Sequence, residues 1–253
     1  MTDTAPRRRR TTATPALEHD ALYDARYFDL ELHRNHWFRN NKAKRDLRWR
    51  EVLRMLEPTA TDRILELGCA VGEHTLRLAP LCHEVVGVDR APAAIERAKA
   101  RAVAQDITNA RFLQLDAADL APLASGSVDK VAAIDFVEHV DDPTLVAVLR
   151  EVRRVLRPAG RLAIFTPCAT HYVERLKARN LVLRQLPGHI AVRGLEAYRR
   201  LLPEGGLEIA SVHFSPSAYP GAGLLDCWLW KVPVIGPLFR FRLCIVARPG
   251  AMP

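Results

Sequence analysis

The feature that most constrains the fold of this 253-residue chain is an alternation of short apolar runs with amphipathic helical patterns between residues 63 and 166. The runs, predicted to be β-strands, are Arg63–Leu67, Glu84–Asp89, Arg111–Asp116, Val128–Asp135 and Arg161–Thr166. The helices between them are predicted at Gly72–Leu81, Ala91–Ala104 and Asp142–Leu156. Strands that alternate with helices in this way form a parallel sheet with helices on both faces.

The two ends of the chain depart from this alternation. Further helices are predicted at 20–56, 170–186 and Leu195–Leu202, and two late strands at Leu207–Phe214 and Phe239–Ala247. A long Pro-, Gly- and aromatic-rich segment joins the late strands, so we expect an antiparallel pair at one edge of the sheet. The predicted fold is therefore α/β, with a Rossmann-like, doubly wound and mostly parallel seven-stranded sheet that ends in an antiparallel hairpin.

Three parts are predicted along the chain. Residues 1–18, rich in Thr, Pro and Arg, are expected to be a disordered basic tail. Residues 19–58 are expected to form an N-terminal helical lid. Residues 59–253 are expected to form the main domain, with substrate-side insertions at about 168–200 and 215–238.

The charge of the chain is unevenly distributed. Lys and Arg number 37 against 29 Asp and Glu, which gives a formal charge of +8. Residues 57–170 carry a net −3, whereas the segments before and after them carry +5 and +6. Basic flanks are typical of proteins that contact nucleic acid, an anionic membrane or an acidic substrate, and equally of a solvated, Arg-rich exterior.

Five cysteines, at 69, 82, 168, 227 and 244, form no C-x-x-C pair, so no metal site is predicted. Free thiols at such spacing are expected in a reducing cytoplasm. Neither a secretory signal nor a transmembrane helix is predicted. The most apolar stretch, Leu224–Phe239, contains Asp226, Lys231 and two prolines and is too short to span a bilayer.

The first predicted strand runs directly into the small-residue loop Glu66-Leu-Gly-Cys-Ala-Val-Gly72. Open α/β sheets bind ligands at the carboxyl ends of their strands, and glycine lets a backbone approach a ligand closely. The dinucleotide fingerprint G-x-G-x-x-G is not met, because Ala70 and Glu73 occupy its second and third glycine positions. Glu73 would also repel a pyrophosphate. An acid before such a loop suits a cationic ligand without phosphate.

Acidic residues also end the next three predicted strands, at Asp89, Asp116 and Asp135. An acid after the second strand can accept hydrogen bonds from both hydroxyls of a ribose. A single acid at a strand end is often only a cap for the next helix. Several such acids in succession, after a small-residue loop, favour a shared ligand site.

These motifs resemble class I S-adenosylmethionine-dependent methyltransferases. The loop is similar to their first motif, E/D-x-G-x-G-x-G, with Ala70 where glycine is commonest. Glu138-His-Val140 and Arg154-Val-Leu-Arg-Pro-Ala-Gly160 resemble the ubiquinone-biosynthesis-like, or type 11, branch. The resemblance covers about residues 60–166 well and the rest weakly. It implies S-adenosyl-L-methionine as cofactor and in-line methyl transfer to a small-molecule acceptor.

The resemblance also implies the site residues, and Asp116 would meet the adenine amino group. The implied cofactor contacts are Glu66, Gly68, Cys69, Ala70, Gly72, Asp89, Arg90, Asp116, Ala117 and Asp135. His139 is the candidate general base, although it could instead pack or cap the following helix. Glu138 is expected to be structural. Other candidate histidines are His189, His33 and His36.

The acceptor side is expected in residues 20–45 and 168–238, outside the core. Trp228, Trp230 and Lys231 form a mixture typical of membrane interfaces. One hypothesis is therefore a lipid-like or quinone-like acceptor and peripheral membrane contact through 224–239. A hydrophobic flap over the acceptor pocket or a dimer contact explains the same residues, and the oligomeric state stays open.

Three alternatives to a small-molecule methyltransferase remain at this point. The missing third glycine argues against an NAD(P)-dependent oxidoreductase. The complete set of Gly68, Gly72, Asp89 and Asp116 argues against an inactive binding protein with the same fold. Nucleic acid is not the expected acceptor, because the fourth strand lacks the Asn/Asp-Pro-Pro-Tyr/Phe signature typical of amino-methylating DNA enzymes.

Overall fold

A computed structural model of the chain describes residues 42–181, 188–217 and 222–250. Within these ranges seven strands form one sheet in the order β3-β2-β1-β4-β5-β7-β6. The strands are β1 (Arg63–Leu67), β2 (Glu84–Asp89), β3 (Ala110–Gln114), β4 (Val128–Ile134), β5 (Leu156–Pro167), β6 (Leu207–Ser215) and β7 (Arg242–Pro249). The first five run parallel, and β7 lies antiparallel between β5 and β6. The predicted mostly parallel sheet with an antiparallel edge pair is confirmed.

Helices connect the strands and cover both faces of the sheet. They are α1 (Lys42–Leu56), α2 (Glu73–Leu78), α3 (Pro92–Ala104), α4 (Asp142–Val155), α5 (Tyr172–Ala178), α6 (Leu195–Glu204) and α7 (Ala222–Leu229). Short 3₁₀ turns occupy Ala79–Leu81, Val137–His139 and Gly236–Phe239. Among the described residues, no helix is both long and apolar enough to cross a bilayer.

One face of the sheet is covered by α4 and α6. The apolar stripe of α4 buries Leu145, Leu149 and Val152 against Leu65 of β1, and each buried leucine contributes about 1.5–3 kcal/mol. The helix begins where the Asp141 side chain accepts a hydrogen bond from the Thr144 N–H at 2.9 Å, as expected of an N-cap aspartate.

The opposite face is covered by α1, α2 and α3. Val52, Met55 and Leu56 of α1 pack with Ile64 and Phe165 in a separate core. This places α1 over the middle and the antiparallel part of the sheet. Of the predicted N-terminal lid at 19–58, residues 19–41 lie outside the described residues, as does the whole tail at 1–18.

The structure departs from the predicted boundaries at several places. β3 ends at Gln114 rather than Asp116, and β5 begins at Leu156, because the predicted helix stop at Arg157–Gly160 continues as extended chain. Helix α7 lies in a segment that we predicted to be an irregular connection. The Pro and Gly residues that favoured a connection flank α7, which itself contains only Gly223. Part of each predicted insertion, at 182–187 and 218–221, lies outside the described residues.

Candidate active site

The loop from Gly68 to Gly72 has an unusual backbone. Gly68, Ala70 and Gly72 all have positive φ, at +64°, +46° and +77°. A Cβ on Gly68 would lie 2.6 Å from the Phe136 ring, and one on Gly72 would lie 2.9 Å from the Phe112 ring. Both glycines are therefore required for conformation and for space. The left-handed backbone at Ala70 also explains why glycine suits that position best.

Asp89, at the end of β2, fastens this loop to the start of α3. Its Oδ2 accepts a hydrogen bond from the Ala70 N–H at 2.9 Å, and its Oδ1 accepts one from the Ala91 N–H at 2.9 Å. Burial raises the pKa of Asp89, and these backbone donors oppose the increase. Each carboxylate oxygen has two acceptor positions, so the two oxygens retain capacity for a ligand's hydroxyl groups.

Glu66 lies beneath the loop rather than on its surface. Its side chain is almost completely buried and accepts a hydrogen bond from the Thr75 hydroxyl of α2. Burial raises the pKa of Glu66 to about 8, so the carboxyl group is mostly protonated at neutral pH. In this position Glu66 supports the loop, and its direct contact with a ligand stays a prediction. Cys69 is also buried, and burial raises the pKa of its thiol.

The end of β3 lies beside the end of β2. The Asp116 Oδ1 accepts a hydrogen bond from the Ala118 N–H at 2.9 Å, and its Oδ2 lies 3.7 Å from the Arg90 Nε. About half of the Asp116 side chain is exposed, whereas Ala117 is buried. The predicted residues of the first three strand ends are therefore neighbours along one edge of the sheet.

Asp135, at the end of β4, is held by two arginines. The Arg242 Nη1 lies 2.6 Å from its Oδ1, and the Arg48 Nη2 lies 3.2 Å from its Oδ2. Burial alone would raise the pKa of Asp135, but the two guanidinium groups lower it to about 2. Neither arginine was a sequence candidate. They come from α1 and β7, and no local motif signals their approach.

His139 and His189 form a pair on the 3₁₀ turn after β4 and the segment that follows α5. Their rings meet edge to face with centroids 5.0 Å apart. The His139 Nδ1 lies 2.8 Å from the Gly188 carbonyl oxygen. Because a carbonyl only accepts, Nδ1 carries a proton, and in the neutral form of the ring the lone pair is therefore on Nε2. Burial lowers the pKa of His189 to about 4.

Glu138 is completely buried beside this pair. Its Oε2 accepts a hydrogen bond from the Thr166 hydroxyl at 3.0 Å, and its Oε1 has no partner among the described residues. Burial and the negative charge of Asp135 raise the pKa of Glu138 to about 8. Arg193 donates to the carbonyl oxygens of Val137 and Val140, at 2.6 and 2.7 Å, and so fixes the turn that presents His139.

His74, which is not among the histidines singled out from the sequence, also lies close to these residues. His74 of α2 is buried, stacks on Trp49 with a centroid distance of 6.2 Å, and its Nδ1 has no partner among the described residues. Burial lowers the pKa of His74 to about 4. The two N-terminal candidates, His33 and His36, lie outside the described residues.

An exposed apolar surface lies on α7 and the turn after it. We call it the α7 patch; it consists of Leu224, Leu225, Trp228, Val232, Val234 and Ile235. Trp228 is 80% exposed and Val234 92% exposed. The Lys231 ammonium lies 5.5 Å from the centroid of the Trp230 ring, beside the patch. So much exposed apolar surface on one short segment is typical of a binding surface.

Comparison with known sequences relates the central part of the chain to one family. Residues 64–160 match the sequence model of a family described as a methyltransferase domain. A 27-O-demethylrifamycin SV methyltransferase of Amycolatopsis mediterranei is 35% identical over 157 residues, which are 61% of this chain and 57% of that protein. A ubiquinone biosynthesis O-methyltransferase of Xanthomonas oryzae pv. oryzae is 31% identical over 145 residues, covering 56% of this chain and 53% of that protein. The chain therefore spans little more than half the length of these curated relatives.

Comparison with solved structures agrees at the level of the fold. A geranyl diphosphate C-methyltransferase from Streptomyces coelicolor A3(2), in complex with Mg²⁺, geranyl diphosphate and S-adenosyl-L-homocysteine, superposes with a TM-score of 0.61 at 18% identity, over 81% of this chain and 79% of that one. The (4+2)-cyclase SpnF superposes with a TM-score of 0.61 at 18% identity, over 83% and 82% of the two chains. A cyclase with the same fold shows that the fold alone does not define the reaction. The match over residues 64–160, the relatives named as methyltransferases and the shared fold together support the resemblance of this part of the chain to class I S-adenosylmethionine-dependent methyltransferases.

Proposed function

We propose that the chain transfers a methyl group from S-adenosylmethionine to a small-molecule acceptor. The observation that carries this proposal is the position of Asp89 within a methyltransferase domain. Its carboxylate joins the Gly68–Gly72 loop to α3 and keeps acceptor capacity on both oxygens. A ribose offers two adjacent hydroxyl donors, which such a carboxylate can accept together.

The residues around the loop fit the rest of this cofactor. Asp116, half exposed beside Asp89, is suited to an exocyclic amino group such as that of adenine. Asp135, ionised at neutral pH, is suited to the cationic part of the molecule. Arg48 and Arg242 are suited to its carboxylate. When bound, S-adenosylmethionine supplies a methyl group that is already activated by its sulfonium.

His139 is the residue that we propose to act on the acceptor. In its neutral form the ring carries the lone pair on Nε2 and can take the proton from an acceptor hydroxyl as the new bond to the methyl carbon forms. Arg193 holds the turn that carries His139 through its hydrogen bond to the Val137 carbonyl oxygen. The Gly188 carbonyl oxygen orients the His139 ring by accepting a hydrogen bond from Nδ1. An oxygen acceptor is supported by the two curated relatives, both named for modification at oxygen. An amine acceptor would need to be neutral but would need no base.

The proposal predicts measurable cofactor binding that depends on Asp89. In calorimetry, S-adenosylmethionine and S-adenosylhomocysteine should bind the wild-type chain, and Asp89→Ala should weaken binding by about 1.5–3 kcal/mol. Glu96→Ala, an exposed carboxylate on α3, is the matched control and should leave binding unchanged. Undiminished binding to Asp89→Ala would show that the carboxylate is misassigned.

The same preparation distinguishes the alternative functions. Fluorescence titration with NADH should give no saturable signal, whereas a signal that saturates would favour an oxidoreductase. Incubation with labelled cofactor and separate lipid and soluble cell extracts should label one fraction. Tight cofactor binding without any labelled product would favour a binding protein that has lost catalysis.

We further propose that the acceptor is lipid-like or quinone-like and is taken up at an anionic membrane surface. The α7 patch supplies exposed apolar side chains, including a tryptophan, which partition well into the interface of a bilayer. Lys231 lies beside the patch, and residues 171–253 carry a net charge of +6, which complements anionic headgroups. Peripheral contact of this kind needs no spanning helix.

Vesicle co-sedimentation tests the membrane contact. The chain should bind phosphatidylglycerol vesicles at low salt, bind phosphatidylcholine vesicles more weakly, and lose binding in Leu224→Ser and Trp228→Ser. Val103→Ser, which removes an apolar side chain of similar exposure from α3, should behave as wild type. Failure to bind anionic vesicles would contradict the proposal, and a dimer that dissociates in Trp228→Ser would identify the patch as a contact between copies of the chain.

A further inference from the structure

A second group of reactive side chains lies between α1 and the antiparallel edge of the sheet. Glu51 of α1, His213 of β6 and Cys244 of β7 each place one donor atom within 4.8 Å of those of the other two. The His213 Nε2 lies 2.7 Å from the Glu51 Oε2. His213 and Cys244 face each other directly across the antiparallel ladder. Three distant segments of the chain therefore bring an oxygen, a nitrogen and a sulfur donor to one place.

The group is largely shielded from solvent. Cys244 is fully buried, and the side chains of Glu51 and His213 are only 12% and 19% exposed. Ser215, two residues after His213 on β6, has a buried hydroxyl without a hydrogen-bond partner among the described residues. Because side chains alternate between the two faces of a strand, Ser215 projects from the same face of β6 as His213. An unsatisfied buried hydroxyl beside three donors offers a further oxygen to a ligand.

The chemistry of these donors selects the kind of ligand. Carboxylate, imidazole and thiolate together favour zinc and similar divalent transition metals over magnesium or calcium, which prefer oxygen alone. We propose that Glu51, His213 and Cys244 bind one divalent ion of the zinc class, with the Ser215 hydroxyl or a water as a further ligand. Metal binding at this site does not require methyl transfer, so the two proposals can be tested separately.

Binding must change the protonation of the group. A cysteine binds a metal ion as its thiolate. The metal–sulfur bond therefore forms as the S–H bond breaks, and one proton passes to solvent. The direct Glu51–His213 hydrogen bond is replaced by coordination of both side chains to the ion, and the proton that the His213 Nε2 donated in that bond moves to Nδ1, which leaves Nε2 as the ligand atom of a neutral ring.

The site would connect helix α1 to the antiparallel edge of the sheet. Arg48 lies one turn before Glu51 on α1 and contacts Asp135 at the end of β4. An ion bound to Glu51, His213 and Cys244 would tie α1 to β6 and β7 and so hold Arg48 at the candidate active site. No local spacing in the sequence signals this site, because its donors are far apart in the chain.

Cobalt(II) titration of the metal-free 253-residue chain tests the proposal. Wild type should bind one Co²⁺ with a thiolate-to-cobalt charge-transfer band, and one equivalent of Zn²⁺ should remove that band. Cys244→Ser should lose the band, whereas Cys82→Ser, which removes another buried thiol from the same core, should keep it. Zn²⁺ should also raise the melting temperature of wild type but not that of Cys244→Ser.

A second variant protects the test against misfolding of Cys244→Ser. His213→Gln changes a partly exposed side chain and should weaken Co²⁺ binding by at least about tenfold while the far-ultraviolet circular dichroism stays unchanged. Absence of a charge-transfer band in wild type would overturn the proposal. A band of full intensity in Cys244→Ser would also overturn it, since another thiol would then be the ligand.

Discussion

The parallel and antiparallel parts of the sheet build their functional residues in different ways. At the ends of β1, β2 and β3, each residue of interest follows its strand directly, and backbone hydrogen bonds hold it in place, as between Ala70 and Asp89. Around β7, the side chains meet by long-range pairing: Arg242 contacts Asp135 across 107 residues, and His213 contacts Glu51 across 162. Local construction leaves its residues close together in the sequence, whereas long-range construction depends on how the strands pair and on where α1 packs.

The largest effect is expected from substituting Gly68, the first glycine of the loop that follows β1 in the parallel part of the sheet. Gly68→Ala combines backbone strain at φ +64° with a contact of 2.6 Å to the Phe136 ring, so we expect a loss of about 4 kcal/mol in the free energy of unfolding. Chemical denaturation of the variant and of wild type measures this difference in the free energy of unfolding.

Gly126→Ala is the matched control for this substitution. Gly126 also has a positive φ, at +60°, but a Cβ there would meet nothing within 4 Å, so only the strain of about 1 kcal/mol is expected. Equal losses in the two variants would show that the Phe136 contact relaxes without cost.

His139 lies on the turn after β4, between the two parts of the sheet, and its substitution should separate catalysis from cofactor binding. His139→Gln should lower kcat by about 100-fold or more, because the acceptor proton then has no base, while the affinity for the cofactor should stay within about twofold of wild type. Single-turnover rates and calorimetry measure the two quantities. If the variant loses cofactor affinity but keeps its rate, His139 contacts the cofactor and is not the base.

Glu66 provides a pH-dependent test of the parallel part. Its pKa is about 8 in the folded chain against an ordinary 4.5, so between these values the folded state holds a proton that the unfolded state has lost. The free energy of unfolding should therefore decrease as the pH rises from about 5 to 8, by on the order of 2 kcal/mol from this residue. Glu66→Gln should remove this part of the slope, as measured by denaturation at pH 5 and pH 8. A slope of the same size in Glu66→Gln would assign the proton to another group, such as Glu138.

The smallest effect is expected from a substitution in α1, which tests whether this helix contributes to cofactor binding. Arg48→Leu removes one of two cations beside Asp135 and should weaken cofactor binding by about 1 kcal/mol, since Arg242 remains. Arg50→Leu removes an exposed arginine from the same helix and should change nothing. Equal affinities in both variants would restrict α1 to a structural role.

The same contrast explains what could be predicted from the sequence. The strand ends at Gly68 and Asp89 were identifiable because a strand, a turn and a helix leave local periodic patterns and small residues at fixed spacing. The roles of Arg48 and Cys244 were not, because they depend on which strands pair and on where α1 packs. Helix α7 was missed for a third reason: the Pro and Gly residues around it dominate the local pattern and conceal eight helical residues.

The double hydrogen bond of Asp89 has a consequence for affinity. Because its carboxylate already holds the Ala70 and Ala91 N–H groups, the loop is preorganised before any ligand arrives. The conformational entropy of the loop is then lost during folding rather than during binding, which favours tight association. Cofactor affinity and the local stability around α3 should therefore change together, so that a substitution that frays the start of α3 weakens binding without touching the ligand.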